Sequence, residues 1–254
     1  MRTQASFFSN AGQNGGESQG CHYIRKGGPA LNIISLVGSP HGEKGNTARL
    51  LNLVLEGARA KGAATETILL KGDSVKPCLG CDTCHKKGGC IQKDAFEQIR
   101  AKILKADGLI LASPNYIFSV SAQLKAFMDR CCHVIHLMEF EGKYGASVVT
   151  SGGGDEAPIA GYMNHFLITT GIRPVGKVWA TMGTLADDRF TGDIIERART
   201  LGEDLVDAWK NKTLDPSTEQ AMASFRERMR RLMLWRKEQW PSEYEYWRLH
   251  RGLG

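Results

Sequence analysis

Four cysteines fall in one short window, Cys78, Cys81, Cys84 and Cys90 in the run PCLGCDTCHKKGGC. Three thiols spaced two residues apart can enclose a compact object from one side, and the fourth returns after five residues that include Gly88 and Gly89. This is the spacing of a loop that ligates an iron-sulfur cluster through thiolates. Structural zinc usually takes two Cys-x-x-Cys knuckles set well apart, and here the third thiol comes too early for that. Zinc nevertheless stays open, as do a reduced loop without metal and a redox disulfide pair. Lys86 and Lys87 add positive charge beside the thiols. Cys131 and Cys132, in DRCCHVIH, read as small buried helix residues, one toward a sheet and the other elsewhere. Cys21 reads as idle in an N-terminal tail.

Three further stretches have chemical potential. In GSPHGEKGNT, backbone amides, the Ser39 and Thr47 hydroxyls and the Asn46 amide can surround a phosphate where a helix begins, and the dipole there favours an anion. It is not a Walker loop, because Lys44 is followed by Gly45, and it lacks the G-x-G-x-x-G turn of a dinucleotide fold. A mononucleotide phosphate suits it better; an ordinary glycine-rich turn is the alternative. Residues 113–118, SPNYIF, set aromatic side chains on a rigid proline turn that can line a flat heteroaromatic ring. In TSGGGDE, three consecutive glycines let the backbone approach a ligand closely. No general acid or base is assigned. His41 and His85 are candidates for proton delivery, against the commoner reading of a loop histidine as a solvated bystander.

The elements that must position these loops follow from periodicity. LNIISLV is a short apolar run, as a strand buried on both faces should be. Leu50, Leu51, Val54, Leu55 and Ala58 recur at helical spacing, with Gly62 as a stop. Thr65 to Leu70 is expected as a second strand, and Asp94 as the cap of a helix that buries Phe96, Ile99 and Ile103. GLILASP is the third strand, followed by a helix whose inner face is Leu124, Phe127, Met128 and Cys131. Ala146 to Thr150 and Val175 to Thr181 are expected as strands, with helices over 156–170 and Ile194 to Trp209. Short apolar strands alternating with helices imply an α/β fold, a doubly wound five-stranded parallel sheet with helices on both faces. Ligands of such sheets sit beyond the carboxyl ends of the strands, so all four loops are expected at one rim.

At 254 residues, 42 % apolar and 24 % charged, the chain is of ordinary globular composition. No signal-peptide run and no membrane-length apolar stretch are seen, which predicts a cytoplasmic protein without membrane contact. A net charge of +6, spread along the chain, favours anionic ligands and not nucleic acid. Residues 1–28 are expected as a flexible tail, 29–212 as the ligand-binding domain, and 213–254 as a helical extension. In that extension Met222, Phe225, Met229, Leu232 and Met233 form an apolar stripe, followed by Trp235, Trp240, Tyr244, Tyr246 and Trp247. This predicts an amphipathic helix docked on its own domain or on a second subunit.

With GSPHGEKGNTARLL, PCLGCDTCHKKGGCIQKD, ADGLILASPNYIFSVSAQLKAFMDR and VTSGGGDE in this order, residues 31–210 resemble the flavodoxin-like NAD(P)H-dependent FMN reductases and, within them, the iron-sulfur flavoproteins. The resemblance implies an FMN phosphate held by Ser39, Asn46 and Thr47 with Pro40 and His41 nearby. It implies an isoalloxazine bordered by Pro114, Asn115, Tyr116 and Phe118 on one side and by Ser151, Gly152 and Gly153 on the other. Cys78, Cys81, Cys84 and Cys90 would ligate a [4Fe-4S] cluster. The implied activity is electron transfer between NAD(P)H and a one-electron acceptor, small molecule or protein, in a homodimer or homotetramer. A cluster-free flavin or quinone reductase, and a non-catalytic electron carrier or redox sensor, are the alternatives.

Overall fold

The computed structural model describes residues 30–253, so the tail expected over 1–28, with Cys21, lies outside the described residues. Five strands, β1 (Asn32–Val37), β2 (Ala64–Leu69), β3 (Gly108–Pro114), β4 (Tyr144–Ser151) and β5 (Arg173–Thr181), pair in parallel in the order β2-β1-β3-β4-β5. Every residue of β3 and β4 is buried, and β3 accordingly reads as a nearly continuous apolar run, while β4 buries small hydroxyl residues among its apolar ones. β2 and β5 are the edge strands, and β2 leaves half its residues exposed. Side chains alternate between the faces. Ile33, Val37, Ile110, Ala112 and Val148 join one core, and Ile34, Leu36, Leu109, Leu111 and Val149 the other.

The helices are α1 (Asn46–Ala60), α2 (Thr83–Lys87), α3 (Phe96–Lys105), α4 (Ala122–Arg130), α5 (Cys132–Leu137), α6 (Glu156–Thr170), α7 (Gly192–Asn211), α8 (Pro216–Arg236) and α9 (Pro241–His250). α1 and α7 cover the first face; α3, α4 and α6 cover the second. β2 begins one residue before the expected start, and β4 and β5 extend two residues further toward the N-terminus. Those extra residues pair with neighbouring strands, a tertiary gain that a local apolar run does not display.

The extension is two helices, not one, because Pro241 starts a second helix after a short break. It packs on its own chain: Met222, Phe225, Met229 and Met233 of α8 and Trp247 of α9 close over Leu137 and Met138 at the end of α5. α9 also inserts a carboxylate. Glu243 has no exposed surface, and its Oε1 bonds Nδ1 of His85 at 2.6 Å and of His133 at 3.2 Å while Oε2 meets Nδ1 of His136 at 2.9 Å. His85 is therefore not the solvated bystander expected of a loop histidine; it is 5 % exposed. Its partner lies 158 residues later, beyond any local reading.

Candidate functional site

The strand order reverses between β1 and β3, and the crevice at their carboxyl ends is where open α/β sheets bind ligands. A cavity of about 210 Å³ opens there. Ser39, His41, Asn46 and Thr47 line it from the loop after β1, Pro114, Asn115 and Tyr116 from the end of β3, and Ser151 and Gly152 from the end of β4. Pro40, Phe118 and Gly153, expected beside them, are exposed and outside the lining. Ile117 and Phe118 both take positive φ in a tight turn, and Phe118 is left 76 % exposed.

Each wall is built for close approach. α1 starts at an extended Gly45 with no side-chain cap, so the amides of its first turn are free for an anion. A Cβ at Gly45 would stand 2.9 Å from Ser39 Oγ. Thr47 Oγ1 and Thr150 Oγ1 are 2.6 Å apart, tying that helix to β4. Asn115 Nδ2 donates to the Gly154 carbonyl at 2.9 Å, which leaves Asn115 Oδ1 buried with no partner. An orphaned acceptor in a cavity wall fits a ligand that carries N–H donors, as a flavin ring does.

The glycine loop is anchored from below. Glu156, 4 % exposed, accepts hydrogen bonds from Ser151 Oγ and, at 2.6 Å, from Thr181 Oγ1; Ser151 Oγ accepts the Gly154 N–H at 2.8 Å. Burial alone would raise the Glu156 carboxyl, but these hydroxyl donors outweigh it and hold the group below the usual carboxylate range. Gly183 N–H donates to the Gly152 carbonyl at 3.1 Å, and a Cβ at 183 would lie 2.1 Å from that oxygen. Sequence alone assigns Glu156, Thr181, Gly183, Thr150 and Met182 no individual role at the site. An acid at the first turn of a helix that follows TSGGG was the one legible signal.

The cysteine loop does not join that rim cavity. It lines its own, of about 390 Å³, which contains Cys78, Cys81, Cys84 and Cys90 together with His85, Arg130 and Cys132. The loop is clasped at both ends by a buried pair: Arg130 Nη1 bonds Asp94 Oδ2 at 2.7 Å and the Lys76 carbonyl at 3.0 Å, while Asp94 accepts the N–H groups of Lys76 and Phe96, both at 3.0 Å. Arg130 Nε remains buried and unpartnered. Hydrogen bonds from Thr83, side chain first and then backbone, lower the Cys81 thiol. Four thiols and an orphaned N–H donor around one cavity fit an inorganic cluster with thiolate ligands and sulfur acceptors. Arg130 closes the apolar stripe Leu124, Phe127, Met128 and Cys131, and an inward charge there was readable from the sequence.

Among the described residues, the group of ligand atoms lying within 4.8 Å of one another is that of His85, Cys132 and His136; the four loop thiols line their cavity without closing to that separation. Cys131 is fully buried as expected, but Cys132 is exposed and sits 3.8 Å from His136 Nε2. Hydrogen bonds from His136 and then His85 pull the Cys132 thiol down to about 6.

The family model described as NADPH-dependent FMN reductase matches residues 31–187. An iron-sulfur flavoprotein of Archaeoglobus fulgidus is 33 % identical over 191 residues, covering 74 % of this chain and 86 % of that protein. One of Methanocaldococcus jannaschii is 35 % identical over 190 residues, covering 71 % and 98 %. Among solved structures, an NAD(P)H:quinone oxidoreductase from Methanothermobacter marburgensis shares the fold with a TM-score of 0.53 at 19 % identity, covering 70 % of this chain and 96 % of that one. No helix among the described residues is long and apolar enough to cross a membrane. The chain belongs to the NADPH-dependent FMN reductase family, as a flavin-dependent oxidoreductase of its iron-sulfur flavoprotein group.

Proposed function

We propose that the protein moves electrons between NAD(P)H and a one-electron acceptor, with FMN in the rim cavity and a [4Fe-4S] cluster on Cys78, Cys81, Cys84 and Cys90. The observation that carries this reading is the convergence of three strand-end loops on one cavity at the β1/β3 reversal, with an orphaned buried acceptor in its wall. Bound there, FMN would supply exchange between two-electron and one-electron carriers, and a cluster would supply a one-electron outlet.

In this reading Ser39, Asn46 and Thr47, with the first-turn amides of α1, hold the phosphate. Pro114, Asn115 and Tyr116 border one side of the ring, with Phe118 at the mouth, and Ser151, Gly152 and Gly153 border the other. Asn115, fixed through its Nδ2, presents Oδ1 to a ring N–H, and Glu156 keeps the glycine loop in place without touching ligand. At the cysteine cavity, Arg130 Nε donates toward sulfur while Arg130 and Asp94 hold both loop ends. The names of the relatives, all iron-sulfur flavoproteins at 31–35 % identity in the first six, support the cluster.

The test is anaerobic purification with flavin, iron and acid-labile sulfide assayed together. Wild type should contain FMN and about four iron and four sulfide per chain, and Cys81→Ser should lose iron and sulfide while retaining FMN. Zinc without sulfide on the loop thiols sinks the cluster assignment; a preparation that takes up no FMN sinks the whole reading. Gly183→Ala addresses the rim directly, because the added methyl cannot coexist with the Gly152 carbonyl at 2.1 Å. Its Kd for FMN, measured by flavin fluorescence, should rise at least about tenfold. An unchanged Kd would remove Gly152 from the flavin site.

A further inference from the structure

A second gathering of ligating side chains lies where α2, α5 and α9 meet. His85 comes from α2, and Cys132 and His136 stand one helical turn apart on α5. Their ligand atoms lie within 4.8 Å of one another, with Cys132 Sγ 3.8 Å from His136 Nε2. Glu243 occupies the opposite ring nitrogen of both histidines, Nδ1 of His85 at 2.6 Å and Nδ1 of His136 at 2.9 Å. A carboxylate on one nitrogen fixes the ring's rotation and tautomer and leaves the other nitrogen to bind metal. Trp240 stacks over both imidazoles, at centroid distances of 4.7 and 4.9 Å, so neither ring is free to turn away.

We propose that His85, Cys132 and His136 form a zinc(II) site separate from the Cys78, Cys81, Cys84 and Cys90 loop, with Glu243 as the carboxylate that orients the two histidines. One thiolate and two imidazoles suit a borderline-soft ion that prefers tetrahedral geometry. Zn–N bonds of about 2.0 Å and a Zn–S bond of about 2.3 Å place tetrahedral donors roughly 3.3–3.6 Å apart, a contraction of at most about 1.5 Å from donors that lie within 4.8 Å of one another. Three protein ligands leave one position open, and Asp82 borders it with Oδ1 3.9 Å from His85 Nε2. Binding takes Cys132 as its thiolate and displaces the protons held by the two Nε2 atoms. Ion pairing alone accounts for Glu243 and its histidines. It does not account for a thiol placed 3.8 Å from His136 Nε2 with a ligand nitrogen of His85 gathered within 4.8 Å of both.

The full chain is expressed with zinc supplied, freed of loose metal with a weak chelator, and assayed for zinc and iron, with zinc affinity read by competition against a chromophoric chelator. Wild type should hold about one zinc per chain. Glu243→Gln should weaken zinc by about 10–100-fold, the usual effect of losing an orienting carboxylate, and Cys132→Ser and His136→Gln by at least about 100-fold. Cys81→Ser should keep its zinc affinity even as it loses iron, which separates this result from the fate of the cluster assignment. Cys132 is exposed, so the serine variant should keep its FMN and, with chelator present to remove metal from both proteins, its melting temperature; His136→Gln is the second probe of the same site. The proposal is overturned if wild type retains no zinc, if Cys132→Ser and His136→Gln bind it as tightly as wild type, or if zinc is lost in Cys81→Ser but kept in Cys132→Ser.

Discussion

Glu243→Ala should destabilise the protein by about 3 kcal/mol and lower its melting temperature by roughly 6–12 °C. The carboxylate is fully buried and shared by His85, His133 and His136. Burial opposes its charge, yet hydrogen bonds from His133, His136 and His85 outweigh burial and hold it well below the usual carboxylate range. Hydrogen bonds to Cys132 and then to Glu243 raise His136 to about 9 against the pull of its own burial. Removing one partner of a buried ion pair usually costs about 3–5 kcal/mol, because the remaining charge is stranded. The lower end applies here, since an orphaned imidazole can release its proton. Glu243→Gln keeps the shape and one acceptor, so its loss should be smaller. Denaturation by urea with chelator present and FMN held constant checks the difference without a contribution from bound metal. Equal stability of wild type and Glu243→Ala would show that α9 is not held by this cluster.

Gly202→Ala is expected to cost about 3 kcal/mol or more, through backbone rather than charge. α1 and α7 cross with glycine on both sides. A Cβ at 202 would stand 1.9 Å from the Val54 carbonyl oxygen and 2.7 Å from the Ala58 amide nitrogen, and a Cβ at Gly57 would stand 2.0 Å from the Arg199 carbonyl. No flexible side-chain end is available to yield, so the helices must separate. Because Thr47 sits at the first turn of α1 and bonds Thr150, separation should also disturb the phosphate end of the rim cavity. Gly202→Ala should therefore lose stability and FMN affinity together, whereas Gly192→Ala, whose Cβ meets open space, should change neither by more than about 0.5 kcal/mol. If Gly202→Ala retains wild-type denaturation and FMN titration curves, the close crossing is not a requirement of the fold.

The amino-acid sequence by itself determined the layered α/β architecture, since LNIISLV, GLILASP and the run around Ala146 are continuous apolar strands that only burial on both faces can satisfy. It also determined most of the rim residues. Ser39, Asn115, Ser151 and Gly152 lie at strand ends, Asn46 and Thr47 open the helix after β1, and a parallel sheet brings its strand ends to one edge. Tertiary structure alone decided the rest. Gly183 and Glu156 act through packing and hydrogen bonds beneath the loop they support, and Gly183 sits at a position with no local pattern. The cysteine loop took a cavity of its own because Arg130 of α4 clasps it there. His85 reads as a solvated loop residue until α9, more than a hundred residues further on, brings Glu243 and Trp240 against it, and Cys132 reads as a small core residue although it faces His136. Periodicity records which side of an element is dry; it does not record which distant side chain, charged or aromatic, arrives to face it.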